Sequence, residues 1–341
     1  MPRHSALESI LRREEAILAP YAAKSRDATR LKPEAPQGFR TAFQLDRDRI
    51  VHTRAFRRLA HKTQVLTPSS GDHCRTRLTH TLEVSQIART IARALRLNED
   101  LAEAAAMGHD LGHGPFGHVG ETVLNSLCKG GFSHQDQSLR VADTLADNGA
   151  GLNLTQEVRD AIAKHSKGQG PIFVGAPRGP ATLEGMVVRV ADIVAYLSHD
   201  MEDAMEAGIL CVGDIPLEIL EAFGESSETR KEAIVTDLLE NTRERDGTLA
   251  LAFSKGMERD MGKLRDFMYR AVYRNPKVDG QMEKGAKTIK AIYKAIMEDD
   301  GLYQGLPLRR LADNRSEAAR DFIAGMTDRY ALNFAKGLGE A

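Results

Sequence analysis

The amino-acid sequence predicts a mostly α-helical protein, on three observations. Apolar residues recur at i, i+3, i+4 and i+7 through most of the chain, the period of a helix that buries one face. No convincing alternating strand appears apart from the short segment Pro171 to Val174. Glycine and proline gather between the periodic segments, as in Lys24 to Gly38 and in Gly168 to Pro180, which holds four glycines and three prolines. With no internal repeat, low-complexity tract or clear linker, a single helical core is expected, divided if at all at about residue 210 into 1–210 and 211–341.

In chain order, Ser5 with Glu8 three residues later reads as a capping box opening an amphipathic helix through Ile17. A second helix is expected from Asp46 to His61, with Val51, Ala55 and Leu59 inward. Between His52 and Arg77 stand six Lys or Arg residues and one acid, Asp72. That charge fits an anion site or a solvated helix face equally well. Thr79 to Leu95 carries Val84, Ile87, Ala88 and Ile91 on one stripe, and His80, four residues before Val84, shares that inward face. Further helices are expected over Gln135 to Ala146 and Thr155 to His165. Leu183 to Ala207 is longer and bears two stripes. One is Val187, Val190, Val194, Leu197 and Met201; the other is Val188, Asp192, Tyr196, His199 and Asp203, whose polar members imply a lined cavity, because burying Asp192 alone costs several kcal/mol. Beyond Gly213 the pattern stays helical over Arg230 to Arg245, Lys255 to Arg274, Gly285 to Asp299 and Ser316 to Leu338.

The 341 residues include 42% hydrophobic and 28% charged ones, a globular balance with a formal charge of -1. No whole-chain field attracts nucleic acid or a membrane surface. Cys74, Cys128 and Cys211 lack CxxC spacing, which excludes a thiolate zinc site, fits a reducing compartment and leaves all three as buried small side chains. No apolar run approaches the roughly 18 residues of a membrane span, and the charged N-terminus is unlike a signal peptide, so a cytoplasmic location is expected.

The densest chemistry lies in Ala104 to Glu121. Leu101, Ala104, Ala105 and Gly108 form a small apolar face with His109 at its edge, so the His109-Asp110 pair ends a buried helix. Gly112 to Gly117, with three glycines and a proline, must form a loop, and His118 and Glu121 then share one face of the next helix. An imidazole beside a carboxylate suits Mn, Fe, Co, Ni, Zn or Mg.

The inward polar residues His80, His109, Asp110 and Asp192 form an H…HD…D order that resembles the HD-domain metal-dependent phosphohydrolase superfamily. The likeness extends through Phe56-Arg57-Arg58-Leu59, Lys62-Thr63-Gln64-Val65, Arg77-Leu78-Thr79-His80, His109-Asp110-Leu111-Gly112-His113, Phe116-Gly117-His118 with Glu121, Ala191-Asp192, Ala195-Tyr196, His199-Asp200 and Ile323-Ala324-Gly325-Met326-Thr327-Asp328. In that order these motifs resemble the deoxyguanosinetriphosphate triphosphohydrolase (dGTPase) family. The resemblance implies an HD-domain helical fold with a helical C-terminal extension, and hydrolysis of a deoxynucleoside triphosphate (dNTP) to deoxynucleoside and inorganic triphosphate. It implies His80, His109, Asp110 and Asp192 as ligands of a divalent metal ion (Mn, Mg, Fe, Co or Ni) and His118 with Glu121 as the catalytic pair. It also implies Arg77, His113 and His134 at the phosphates, and Gln64, Tyr196 and Asp200 around the sugar, with Tyr196 excluding a 2′ hydroxyl. Gly114 stands where many bacterial members have proline. Members of the family are commonly homo-oligomers with allosteric nucleotide sites, so a dNTP activator and self-association are expected too. The apolar residues Phe322, Ile323, Met326, Tyr330, Leu332 and Phe334 fit either self-association or packing within one subunit.

Two other readings fit the residues less well. A broader HD phosphohydrolase acting on nucleotide monophosphates or other phosphoesters needs the metal set but neither a sugar gate nor a row of cations. A non-catalytic protein binding single-stranded nucleic acid or sensing dNTPs has no use for the His118 and Glu121 pair, and no aromatic stacking platform is present.

Overall fold

The computed structural model describes residues 3–65, 75–166, 168, 170–173 and 178–339. Along it run sixteen α-helices: α1 Arg3–Ile17, α2 Ala42–Val51, α3 Arg54–Arg58, α4 Arg77–Ala94, α5 Glu99–Gly108, α6 Gly117–Leu127, α7 His134–Arg140, α8 Gln156–Lys164, α9 Leu183–Glu206, α10 Leu217–Phe223 and α11 Ser227–Asn241. A hairpin of β1 Arg243–Arg245 and β2 Thr248–Ala250 follows. The chain then continues as α12 Lys255–Met268, α13 Pro276–Glu298, α14 Asp300–Gln304, α15 Arg315–Ala324 and α16 Asp328–Gly337. The mostly helical class expected from periodicity is the class observed.

Contacts gather the chain into two units that interleave along the sequence, whereas the expected division at about residue 210 is sequential. One unit comprises the described residues of Met1–Arg49, Thr81–Gly108 and Asn153–Asn275; the other comprises those of Ile50–His80, His109–Leu152 and Pro276–Ala341.

In the first unit, α5, α8 and α9 pack on one another. The periodic residues are the buried ones: Leu101, Ala104 and Ala105 on α5, Val158 and Ile162 on α8, and the Val187, Val190, Val194 and Leu197 stripe on α9. Each large member contributes roughly 1.5–3 kcal/mol by leaving water. Thr155 and Thr182 cap α8 and α9 by accepting from the amides of Val158 and Gly185, which fixes where both helices begin. The buried Glu184 carboxylate accepts from the amides of Ala23 and Asn98 at 3.0 and 2.9 Å and ties α9 to the α1 and α5 leads.

In the second unit, α13 packs on α6, α15 and α16. Leu124, Ile289, Ile292, Ile296, Ala319 and Ile323 form its buried centre. Of the late apolar set, Ile323 and Met326 are buried here, Phe322, Leu332 and Phe334 are half-buried against the same cluster, and Tyr330 is exposed.

Several expected elements differ. Ser5 lies inside α1 rather than at its cap. The single helix expected over Asp46 to His61 is broken after Val51, because Thr53 turns extended and caps α3 by accepting from Phe56 N, and Leu59–His61 closes as a 3-10 turn. Pro171–Phe173 forms no strand, and Val174 lies outside the described residues. The strands are instead β1 and β2, antiparallel with Arg243 opposite Ala250, joined by Asp246 and Gly247 at positive φ. They take the end of the expected Arg230 to Arg245 helix. Ser316 to Leu338 is two helices, since Thr327 accepts from Tyr330 N and starts α16 afresh. Cys128 is buried, and burial pushes its thiol up to about 11. Cys211, in contrast, is exposed at the start of a 3-10 turn, and Cys74 lies outside the described residues. Among the described residues no helix is long and apolar enough to cross a membrane.

Candidate active site

In the second unit, the chain runs from His109, just after α5, through a tight loop into α6, as the glycines and proline require. The loop is pinned to α7 by Ser138, whose hydroxyl accepts from Gly112 N at 2.9 Å and donates to His109 O at 2.8 Å. A Cβ on Gly112 would stand 2.1 Å from Ser138 N, so only glycine allows this approach. Ser133 fixes the near end of α7 by accepting from Asp136 N.

The loop's first residues meet the first turn of α4. His80, His109 and Asp110 are buried, and one ligand atom from each lies within 4.8 Å of the others. The two imidazole rings stand edge to face with centroids 5.4 Å apart. Burial disfavours the Asp110 charge, but the Arg77 guanidinium, with the imidazoles of His109, His113 and His80 behind it, holds the carboxyl well below its usual range. Two imidazoles and an anionic carboxylate at this spacing suit a first-row divalent cation.

A second cluster centres on Glu121, one turn into α6. His134 reaches Glu121 Oε1 twice, through its backbone N and through Nδ1, each at 2.8 Å. The other carboxylate oxygen faces His118 Nδ1 at 3.7 Å and His113 Nε2 at 3.9 Å. Burial works against the Glu121 charge, yet the imidazoles of His118 and His134 drive its carboxyl far below the usual range. Burial likewise opposes protonation of His134, and the Glu121 carboxylate overrides it and raises that imidazole. His113 behaves oppositely: burial first, then Arg77, keeps it well below its usual range. Its Nδ1 donates to Gly114 O at 3.2 Å, so the neutral ring presents a bare Nε2, and an anion arriving beside it raises its affinity for a second proton. His118 is the open member, with 73% of its side chain exposed.

Of the basic stretch, the arginines mostly serve the fold. Arg57 donates to His52 O at 2.9 Å and Arg58 to Gly325 O at 2.8 Å. Arg77 differs. It is buried, its Nη1 holds Asp110 Oδ2 at 2.7 Å, and its Nε and Nη2 have no partner among the described residues. Gln64 is buried nearby in sequence, and its Oε1 is also without a partner among the described residues.

Asp192, Tyr196 and Asp200 belong to the first unit, at successive turns of α9. Asp192 and Tyr196 are half-buried and Asp200 is buried. Burial pushes the Tyr196 hydroxyl above its usual range, and the carboxylates of Asp192 and Asp200 push it further. Asp200 accepts from Tyr273 OH at 2.6 Å and faces His199 Nδ1 at 2.8 Å.

The contacts of three residues in these sites are not legible in the sequence. Tyr273, on the π turn after α12, carries no signal of its own. Lys62 reads as a surface base but is fully buried, donating from Nζ to His113 O and to Ala324 O at 2.8 Å. Burial, with Arg58 adding to it, lowers its amine to about 7. Asp328 looks like an ordinary first-turn acid, but its carboxylate accepts from the backbone N of Thr63 at 2.9 Å and of Phe116 at 3.0 Å.

Residues 77–197 match the HD domain family, and residues 251–336 match the Phosphohydrolase-associated domain. The chain is 48% identical to a deoxyguanosinetriphosphate triphosphohydrolase-like protein of Desulfatibacillum aliphaticivorans, over 95% of each chain. It is 47% identical to one from Caldanaerobacter subterraneus subsp. tengcongensis, over 94% of this chain and 91% of the relative. A Deinococcus radiodurans protein, deoxyguanosinetriphosphate triphosphohydrolase-like protein 1, is 38% identical over 94% and 92%. With both sequence families in place and relatives aligned over nearly their whole length, the chain belongs to the deoxyguanosinetriphosphate triphosphohydrolase-like family of HD-domain phosphohydrolases.

Proposed function

We propose that this phosphohydrolase cleaves deoxynucleoside triphosphates, dGTP among them, to deoxynucleoside and inorganic triphosphate. The observation that carries the reading is Arg77: a buried guanidinium whose Nε and Nη2 have no partner among the described residues, beside a donor set of metal type, is suited to a strongly anionic ligand. The relatives' printed names support a dNTP as that ligand.

His80, His109 and Asp110, with Asp192 on the family pattern, would hold a divalent ion, Mn, Mg, Fe, Co or Ni. When bound, such an ion offsets charge at a phosphoryl oxygen and lowers the pKa of water. Water adds at the α-phosphorus, the bond to the 5′ oxygen breaks, and that oxygen leaves with a proton. His118 moves one proton in this exchange, with Glu121 orienting its ring. Arg77, His113 and His134 face the phosphates. Gln64 and Asp200 take the 3′ hydroxyl, and Tyr196 closes the space a 2′ hydroxyl needs. Self-association and a dNTP activator belong to the same proposal, on the family resemblance.

The test is a product assay. The protein is incubated with all four dNTPs and Mn, so that any one of them can serve as activator, and nucleosides and phosphates are resolved. Deoxynucleoside with intact triphosphate is expected, lost on chelation and reduced at least about a hundredfold in His118→Ala. Deoxynucleoside monophosphate with pyrophosphate, or no turnover of any dNTP, overturns the reading.

A further inference from the structure

Phe116 immediately precedes α6, the helix that carries His118 and Glu121, and it sits at φ 61° and ψ 29°. This left-handed conformation costs a bulky residue of order 1–3 kcal/mol unless its surroundings hold it. Gly117 follows at φ 59°, so two consecutive left-handed residues set the direction in which α6 departs. What holds them comes from far along the chain. Asp328, at the first position of α16, accepts from Phe116 N through Oδ1 at 3.0 Å, while its Oδ2 accepts from Thr63 N at 2.9 Å and from the Thr63 hydroxyl. α13 presses on the Phe116 ring so closely that a Cβ on Gly285 would stand 2.7 Å from Phe116 Cγ. Three residues earlier in the loop, buried Lys62 joins His113 O to Ala324 O, the last residue of α15.

We propose that Asp328 and Lys62 are positioning residues of the reaction: by holding the main chain at Phe116 and His113, they set where α6 presents His118 and Glu121. This rests on the roles given to those two residues under the proposed function. Neither Asp328 nor Lys62 touches substrate on this account. The region matching the Phosphohydrolase-associated domain, which includes Ala324, Asp328 and Gly285, thereby supplies the outer jaw of the catalytic loop. A carboxylate suits the Asp328 position because each oxygen meets only donors. A fully buried lysine is costly, and its two carbonyl partners account for its place.

The experiment compares the full-length wild type with Asp328→Ala, Asp328→Asn and Lys62→Met. Steady-state kinetics on a dNTP with Mn, Mn affinity by equilibrium dialysis, thermal melts and hydrogen exchange of the peptide covering residues 113–121 are measured on each. In Asp328→Ala, kcat is expected to fall about tenfold to a hundredfold, with KM and Mn affinity within about twofold. Asp328→Asn, which keeps an amide oxygen for Phe116 N but turns its NH2 toward Thr63, recovers part of the loss. Lys62→Met loses kcat in the same way without a lower melting temperature, since the buried charge is gone. Exchange at 113–121 quickens in Asp328→Ala and Lys62→Met. An unchanged kcat, an equal loss in the Asn and Ala variants, or a loss that tracks Mn affinity overturns the proposal. If the wild type turns over no dNTP, the proposed function falls, and hydrogen exchange alone decides this inference: unaltered protection of 113–121 in both variants sinks it.

Discussion

Glu121 illustrates how one residue couples charge and stability, and on its proposed role reaction as well. Its carboxyl is held far below its ordinary 4.5 against burial, and His134 is raised above its ordinary 6.5 by the same contact. The lowered acid contributes stability that is complete above pH 4.5 and lost as pH falls toward its folded value. The raised imidazole contributes stability that is complete below pH 6.5 and lost as pH climbs through its folded value. Both contributions are therefore present together from about pH 4.5 to 6.5. Glu121→Gln should lower the melting temperature most within that window and progressively less on either side. It should also return the His134 imidazole downward, seen by histidine proton NMR, and cut turnover by about a hundredfold. A melting deficit that stays flat from pH 4 to 9 would falsify this coupling. In sequence the His118 and Glu121 relation is legible, because i, i+3 spacing on a helix needs nothing else. The closer partner, His134, belongs to another helix, and no spacing rule reaches it.

At the scale of elements, the loop between α5 and α6 has glycines of unequal importance. Gly112 faces the backbone of α7, with Ser138 N and Gln137 C at 2.1 and 2.3 Å from an added Cβ, while Gly114 would meet only a Leu124 methyl at 3.4 Å. Gly112→Ala is expected to cost about 3 kcal/mol or more, because backbone cannot yield as a side-chain tip can. Gly114→Ala should lie within about 1 kcal/mol of wild type, because a side-chain tip can yield. Urea unfolding of the two variants side by side checks both. Periodicity locates α4, α5, α8 and α9 well, because each buries one face of regular width. It overruns at Thr53 and Thr327, where a threonine side chain replaces a helical hydrogen bond with a cap and the apolar rhythm carries on regardless. The β1–β2 hairpin did have a signal, Asp246-Gly247, the commonest two-residue turn. Its strands lack apolar alternation since β1 is exposed on both faces, so the turn stood without support.

For the whole molecule, motif order along the sequence is enough to identify the family, and the nearly full-length relatives agree with it. What order cannot convey is the partition of contacts. Each unit draws on three separate stretches, and both need chain beyond residue 210: the first takes residues up to Asn275, the second takes Pro276–Ala341. A fragment of residues 1–210 is therefore expected to lack a cooperative melt that the full chain shows, with circular dichroism as the check; a sharp two-state transition in the fragment would contradict it. The contacts of Lys62 and Asp328 are hidden from sequence for the same reason, since each has a partner more than two hundred residues away.

The clasp at Phe116 also has a meaning in time. Synthesis proceeds at about 5–20 residues per second, N-terminal parts first. His109, His118 and Glu121 leave the ribosome long before Asp328 does, and until α13 and α16 arrive nothing holds Phe116 in its left-handed turn. On the proposed roles, the chain thus carries its phosphate-directed groups for about ten to forty seconds as an unassembled set, and the act that completes them is the arrival of a segment to which no catalytic group is assigned.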